Sequence, residues 1–118
     1  MTATGGMSNK RWGRVGDSPI IGADTYADNA SCAVSATGDG EYFIRATAAR
    51  DICARVEYLG KAPETAGREV LDRIGKLGGE GGVIILARDG RFATPFNSEG
   101  MYRGWVGPDG KVSVEIYR

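Results

Sequence analysis

Histidine is absent from the 118 residues of the chain. A Ser-His-Asp or Cys-His catalytic arrangement therefore cannot be built from this chain. If the chain contributes to a hydrolase, another group has to act as the general base. The α-amine at the start of a polypeptide is one known alternative.

Neither sign of charge is in excess, because 15 basic residues balance 15 acidic ones. Nucleic-acid-binding proteins usually carry a basic excess, so no nucleic-acid partner is expected. The sequence has no run of about 18 apolar residues of the kind that spans a membrane. Its first residues also lack the basic-then-apolar pattern of a secretory signal. We expect a cytoplasmic protein with no membrane partner.

Cysteine is also scarce, with only Cys32 and Cys53 present. The two could pair, but both lie in otherwise apolar stretches. Buried free thiols are the more common arrangement in a reducing compartment. We therefore expect two buried, free thiols.

Glycine, in contrast, is abundant: 19 residues, against a usual share of about 7%. Many backbone positions therefore need unusual dihedral angles or close approach of another segment. The length suits one domain and is too short for two.

Apolar periodicity predicts an α+β fold in which two helices cover one face of a mostly antiparallel sheet. The first strand alternates, with Cys32, Val34 and Ala36 facing the core. Asp89-Gly90 is suited to a type I′ hairpin turn. The predicted strands are residues 31–37, 82–88, 91–97, 101–106 and 111–117, and the predicted helices are residues 41–59 and 63–78.

Residues 1–30 show little periodicity and are predicted to be mainly loop. A loop of this length inside a compact domain is usually functional or disordered. The strand at residues 31–37 has no evident hairpin partner before it, so we expect a segment of the domain to be missing upstream.

Arg14 and Asp17 lie three positions apart in GRVGDSP. A guanidinium can bind a carboxylate with two hydrogen bonds, and a carboxylate can bind an ammonium group. Together they could hold the α-carboxylate and α-amine of an amino acid. They could instead pair with each other and order the loop, and the spacing alone favours this ion pair.

Thr37-Gly38-Asp39-Gly40-Glu41 connects a predicted strand to a predicted helix. Backbone N–H groups at such a turn suit an anion or a developing oxyanion, and the threonine hydroxyl could donate another hydrogen bond. An ordinary turn that needs glycine for its geometry explains the same residues. The segment matches neither of the common glycine-rich phosphate-binding motifs.

Several other polar and aromatic residues have simpler explanations. Thr2 and Thr4 suit a strand end, and residues 97–99 are expected to form a plain turn. Trp12 and Trp105 show no stacking array of the kind that binds single-stranded nucleic acid. We expect them to pack in the core or at its rim.

The combination of these motifs resembles the β subunit of plant-type L-asparaginase/isoaspartyl peptidase, a family of N-terminal-nucleophile hydrolases. The resemblance covers essentially the whole chain. It is carried by TATGGMSNKRWGRVGDSPIIGADTYADN, SATGDGEYFIR, LGGEGGVIILARDGRFATPFNSEGMYRGW and the closing EIYR.

The resemblance implies a substrate site. Arg14 would bind the substrate α-carboxylate and Asp17 the α-amine, and the carbonyl of Gly40 would also contact the amine. The implied substrate is a small molecule, L-asparagine or a β-aspartyl dipeptide, and no metal or cofactor is implied.

The same resemblance implies catalytic roles. The Thr37 hydroxyl and the Gly38 backbone N–H would form the oxyanion hole, and Thr4 would orient or tune the nucleophile. Family enzymes are αββα sandwiches that cut themselves into α and β subunits, and two αβ units associate. The cut exposes an N-terminal threonine that serves as nucleophile, with its own amine as base.

The family nucleophile lies roughly one strand pair before the segment that starts this chain. We therefore interpret residues 1–118 as a single partial domain, half of the sandwich, without nucleophile, and expect it to be inactive alone. A non-catalytic amino-acid-binding or structural remnant remains an alternative. Another is that removal of Met1 leaves Thr2 with the free amine that such a nucleophile needs.

Two residues depart from the family pattern. Asp39 stands where a small or uncharged polar residue is usual, and its carboxylate could disfavour negative charge beside the oxyanion loop. Asp24 stands where glycine is common. Neither departure predicts whether asparagine or a β-aspartyl peptide is preferred.

Overall fold

The computed structural model describes residues 11–117. Within this range the chain runs through two strands, three helices and four further strands, which we number in chain order. They are β1 (Thr25–Ala27), β2 (Cys32–Gly38), α1 (Gly40–Ala46), α2 (Ala48–Leu59), α3 (Pro63–Leu77), β3 (Gly81–Ala87), β4 (Phe92–Ala93), β5 (Arg103–Val106) and β6 (Val112–Glu115).

The larger sheet has the strand order β1-β2-β3-β4, and all its neighbours are antiparallel. Its centre is the β2–β3 pair, which runs in register from Cys32 opposite Ala87 to Gly38 opposite Gly81. Strands β5 and β6 form a separate antiparallel hairpin. The predicted α+β class is confirmed, although the last two strands do not join the main sheet.

One face of the main sheet packs against the helices. The predicted inward face of β2 is confirmed, because Cys32, Val34 and Ala36 are all buried. Val83 and Ile85 of β3 extend the same face. The helices contribute Phe43, Ile52, Cys53, Val70, Leu71 and Ile74, all buried.

The predicted helix over residues 41–59 is broken at Thr47, whose left-handed backbone has φ 49° and ψ 49°. The Thr47 N–H donates to Ile44 O at 3.1 Å and ends α1. Two early N–H groups of α2 then bond to the preceding loop, Ala49 to Ala23 O at 3.0 Å and Arg50 to Gly22 O at 2.9 Å. The apolar spacing continues across the break because both helices bury the same side, so periodicity did not reveal it.

Strand β2 does have a partner on its N-terminal side, contrary to the sequence prediction. The three residues of β1 pair with it, from Thr25 opposite Ser35 to Ala27 opposite Ala33. A strand of this length is too short to produce a periodic pattern. Residues 11–30 are otherwise mainly loop, as predicted.

The turn after β3 is not the predicted type I′. That type needs positive φ at both central residues, and Gly90 has φ 89° whereas Asp89 is not left-handed. Gly90 N donates to Ala87 O at 3.0 Å, and Ala87 N donates to Arg91 O at 2.7 Å. The chain thus uses a longer hairpin loop with one left-handed glycine.

The expectation of free thiols is wrong, because Cys32 and Cys53 form a disulfide. It joins β2 to α2 in the core, and the two Cα atoms are 5.3 Å apart, within the usual range. The inward faces of a strand and a helix must oppose each other for this bond to form. The sequence shows each face but not their mutual placement.

Replacing both cysteines with alanine should lower the free energy of unfolding by about 3 kcal/mol. The bond closes a loop with a sequence separation of 21 residues, and removing it restores roughly that entropy to the unfolded chain. Urea unfolding of the double variant and of the dithiothreitol-treated protein should give similar losses. Unchanged stability in both would show that the pair does not constrain the folded protein.

None of the helices within residues 11–117 has the length and apolar character needed to cross a membrane.

Candidate functional site

The loop before β1 brings Asp17 against the start of α1. The Asp17 side chain is buried, with 5% of the residue exposed. The backbone carbonyl of Asp17 accepts a hydrogen bond from Ile20 N at 2.8 Å. The side chain lies so close to Gly40 that a Cβ there would stand 2.6 Å from Asp17 Oδ1. Glycine at position 40 is therefore required by the approach of a carboxylate.

Arg14 lies on the same loop and is half-buried. Its Nη2 donates to Glu41 Oε2 at 3.2 Å, an ion pair that ties the loop to α1. Gly16 packs under the guanidinium, since a Cβ there would lie 2.9 Å from Arg14 Nη1. The Arg14–Asp17 ion pair that the spacing favoured is not formed, and Glu41 is the partner instead.

The Asp17 carboxyl is electrostatically unsatisfied. Burial raises its pKa, opposed by its own backbone N–H and by the positive charge of Arg14, and the nearby charge of Glu41 raises it further. Its Oδ2 atom is buried and has no hydrogen-bond partner. A buried polar atom without a hydrogen-bond partner is uncommon. An ammonium group could donate the hydrogen bond that Asp17 Oδ2 lacks.

Gly38 ends β2 in a conformation that suits only glycine, with φ +135°. An added Cβ would collide with the backbone of Glu80 and Gly81, where β3 begins. Asp39 closes this corner, because Asp39 N donates to Glu80 O at 2.9 Å and Glu80 N donates to Asp39 Oδ2 at 3.0 Å. The ends of β2 and β3 are thus held together beside Thr37.

An open cleft of about 450 Å³ borders this corner. Thr37, Gly38 and Asp39 line one side, and Ser98 and Met101 line another. The cleft carries a hydroxyl, backbone groups and a carboxylate, which are groups suited to a small polar ligand.

The predicted plain turn at residues 97–99 has two parts. Asn97 is structural, since its Oδ1 accepts from Gly81 N at 2.8 Å and its Nδ2 donates to Gly79 O at 3.2 Å. Ser98 lines the cleft, which the sequence did not indicate. Only the folding of this segment against β3 places it there.

The sequence-predicted site residues lie around the junction of β2 and α1, but Arg14, Asp17 and Gly40 do not line the cleft described above. Thr37 and Gly38 end β2, and Gly40 begins α1 in contact with Asp17. Arg14 reaches the same helix through Glu41. Thr4 and Thr2 lie outside the described residues.

The family model described as asparaginase matches residues 1–116. The chain belongs to the asparaginase family. The resemblance found in the motifs is therefore confirmed at the level of the family.

This asparaginase-family chain is similar to proteins named "Isoaspartyl peptidase" from Escherichia coli (strain K12) and Salmonella typhimurium, at 52% identity over 118 residues in both cases. It is 41% identical over 118 residues to "Isoaspartyl peptidase/L-asparaginase" from Xenopus laevis. The alignments cover 99%, 99% and 98% of this chain. They cover only 37%, 38% and 37% of the three relatives' own lengths.

Asp24 is a second buried carboxyl close to the site. Burial raises its pKa to about 7, with a further contribution from the charge of Asp17 and an opposing one from the Ala36 backbone N–H. Neither of its carboxyl oxygens has a hydrogen-bond partner. The burial of Asp24 near Asp17 depends on the fold and is not visible in the sequence.

The two tryptophans of this asparaginase-family chain differ in their surroundings. Trp105 packs on Phe92 with ring centroids 5.5 Å apart, in line with the predicted packing role. Trp12 is fully exposed, so its prediction as a core or rim residue is wrong for the described part of the chain. It lies in the loop that carries Arg14, where no core face is available to it.

Among residues 11–117, no group of three or more histidine, cysteine or acidic side chains is placed to hold a metal ion.

Proposed function

We propose that the chain supplies the substrate-binding part of an enzyme that hydrolyses the side-chain amide of L-asparagine or the isopeptide bond of a β-aspartyl dipeptide. The observation that carries this proposal is Asp17, a buried carboxyl with an unpartnered oxygen. Arg14 stands on the same loop, and Gly40 leaves room for the carboxylate. A cationic and an anionic group side by side complement an amino acid's two charged ends.

In this proposal the Arg14 guanidinium binds the α-carboxylate and Asp17 binds the α-amine together with the Gly40 carbonyl. Arg14 is already oriented by Glu41 at 3.2 Å and is still partly open to a ligand. Two fixed charged contacts would orient the substrate so that its side-chain carbonyl points away from the loop.

Thr37 and Gly38 are then the oxyanion hole. A hydroxyl and a backbone N–H directed at the carbonyl oxygen stabilise the negative charge that develops during acyl transfer. The rigid end of the β2–β3 pair, held by the reciprocal Asp39–Glu80 hydrogen bonds, keeps such donors in place. Thr4 is assigned to the nucleophile's surroundings by family resemblance.

The attacking group belongs, in this proposal, to a part of the protein not contained in residues 1–118, the segment that begins the β subunit. An α subunit completes the αββα sandwich, and two αβ units associate in the cytoplasm. Two facts support a larger protein. The chain spans 37% of the Escherichia coli relative, and the sheet face away from the helices exposes Ile84, Leu86 and Phe92.

Turnover tests the proposal most simply. The full-length protein should release ammonia from L-asparagine or aspartate from a β-aspartyl dipeptide, and the isolated chain should release neither. Folded full-length protein that hydrolyses neither substrate would contradict the enzymatic role. Binding of L-aspartate without turnover would then favour a non-catalytic amino-acid-binding remnant. Turnover by the isolated chain would contradict the proposal that the nucleophile lies outside residues 1–118.

A further inference from the structure

Asp24 is fixed in the core beside the proposed amine site. It is 1% exposed, and Asp17 is 5% exposed. Its carbonyl accepts from Ala36 N of β2 at 2.8 Å, and the preceding carbonyl, of Ala23, accepts from Ala49 N of α2 at 3.0 Å. These two hydrogen bonds fix the main chain at Asp24, and burial keeps its carboxyl away from solvent.

No cation pairs with Asp24 among the described residues. On its own loop its carboxyl lies near that of Asp17, which is itself near Arg14 and near Glu41 of α1. From β2 it meets only the Ala36 backbone N–H. On α2, the Arg50 guanidinium is engaged elsewhere: it lies over the rings of Tyr26 and Tyr58 and 3.9 Å from Glu57.

We propose that Asp24 is a second carboxyl of the amine site, which loses its proton when a substrate ammonium group binds at Asp17. The inference rests on the proposed function, because it takes Asp17 as the ligand of the α-amine. Asp24 acts through Asp17 and the local field, so it is a positioning residue and not a catalytic one.

The proton release follows from the repulsion between the Asp17 and Asp24 carboxylates in a poorly hydrated environment. Two neighbouring buried carboxyls resist ionising together, so near neutral pH the pair retains a proton. A bound ammonium brings a positive charge and makes the second ionisation easier. Binding therefore releases a proton to solvent, and by linkage the affinity for the ammonium ligand rises as the pH increases through the titration of Asp24.

The size of the effect follows from the coupling. Burial and Asp17 set the pKa of Asp24 at about 7 without ligand. If the ligand lowers it by about one unit, the affinity should be about fivefold tighter at pH 8 than at pH 6. The α-amine of the ligand stays protonated over this range, so its own titration does not produce the trend.

Calorimetric titration of the full-length protein with L-aspartate tests the inference. This ligand has both charged ends and no amide to hydrolyse. At pH 6 and pH 8, in two buffers of different ionisation enthalpy, wild type should bind more tightly at pH 8. It should release about 0.4 of a proton on binding at pH 6 and little at pH 8. Asp24→Asn should still bind but lose both the pH trend and the proton release.

Two further variants make the result interpretable. Asp72→Asn removes an exposed carboxylate on α3 and should behave like wild type. Asp24→Gly, which removes the whole side chain, replaces Asp24→Asn if the latter folds poorly. A pH trend that persists without Asp24, or wild-type binding with no proton release at pH 6, overturns the inference alone. Absence of L-aspartate binding at both pH values, or binding unaffected by Arg14→Ala, overturns the proposed function as well.

Discussion

Asp17→Asn should weaken the binding of L-aspartate to the full-length protein by about 100-fold or more. The amide has nearly the same shape as the carboxyl, so contact with Gly40 is retained while the negative charge is lost. Truncating one partner of a buried, hydrogen-bonded charge pair usually costs about 2–5 kcal/mol, and about 2.7 kcal/mol corresponds to 100-fold. Calorimetry at pH 7 measures the loss directly.

Glu41→Gln is the matched control for this prediction. It also removes one carboxylate charge near the loop, but Glu41 is largely exposed, with 63% of its side chain accessible. Exposed ion pairs contribute about 1 kcal/mol or less, so L-aspartate affinity should change only a few-fold. Equal losses of L-aspartate affinity in the two variants, or wild-type affinity in Asp17→Asn, would contradict the assignment of Asp17 as the ligand of the α-amine.

Gly38→Ala should abolish turnover and lower the free energy of unfolding by about 3 kcal/mol or more. The methyl group would collide with the backbone of Glu80 and Gly81, where β3 begins. Alanine is also strained at φ +135°. Such overpacking and backbone strain each cost about 1–3 kcal/mol. Separation of β2 from β3 would also displace the Gly38 N–H from the oxyanion hole. Urea unfolding and turnover of full-length protein measure the two effects.

Gly90→Ala is a control for Gly38→Ala that introduces backbone strain without a steric collision. Gly90 is also left-handed, with φ +89°, but nothing lies within 4 Å of its added Cβ. We expect a loss of about 1–2 kcal/mol and unchanged turnover, because the turn after β3 is not part of the site. Similar losses of stability and activity in the two variants would show that crowding at Gly38 is not what matters.

Much of the fold could be predicted because it depends on local patterns. The alternation in residues 31–37 identified β2 and its inward face, and Pro63 and Gly78 bounded α3 closely. The break at Thr47 was missed because it serves a tertiary purpose: it lets the N–H groups of Ala49 and Arg50 donate to the loop carbonyls of Ala23 and Gly22. Neither propensity nor apolar spacing contains that contact.

The site was predictable only in part for the same reason. Spacing placed Arg14 and Asp17 near each other but favoured the wrong ion pair, since Glu41 is distant in sequence and adjacent in space. The disulfide between Cys32 and Cys53 likewise depends on how β2 and α2 face each other. The family resemblance supplied roles for the site residues that the residues alone left open.

A crystal structure of the full-length protein with L-aspartate tests the central claim most directly. We expect the α-carboxylate on the Arg14 guanidinium, the α-ammonium within hydrogen-bond distance of Asp17 Oδ2 and the Gly40 carbonyl, and the side-chain carboxylate towards Thr37 and Gly38. L-aspartate bound elsewhere, or bound at this corner without touching Arg14 and Asp17, would contradict the proposed amino-acid site.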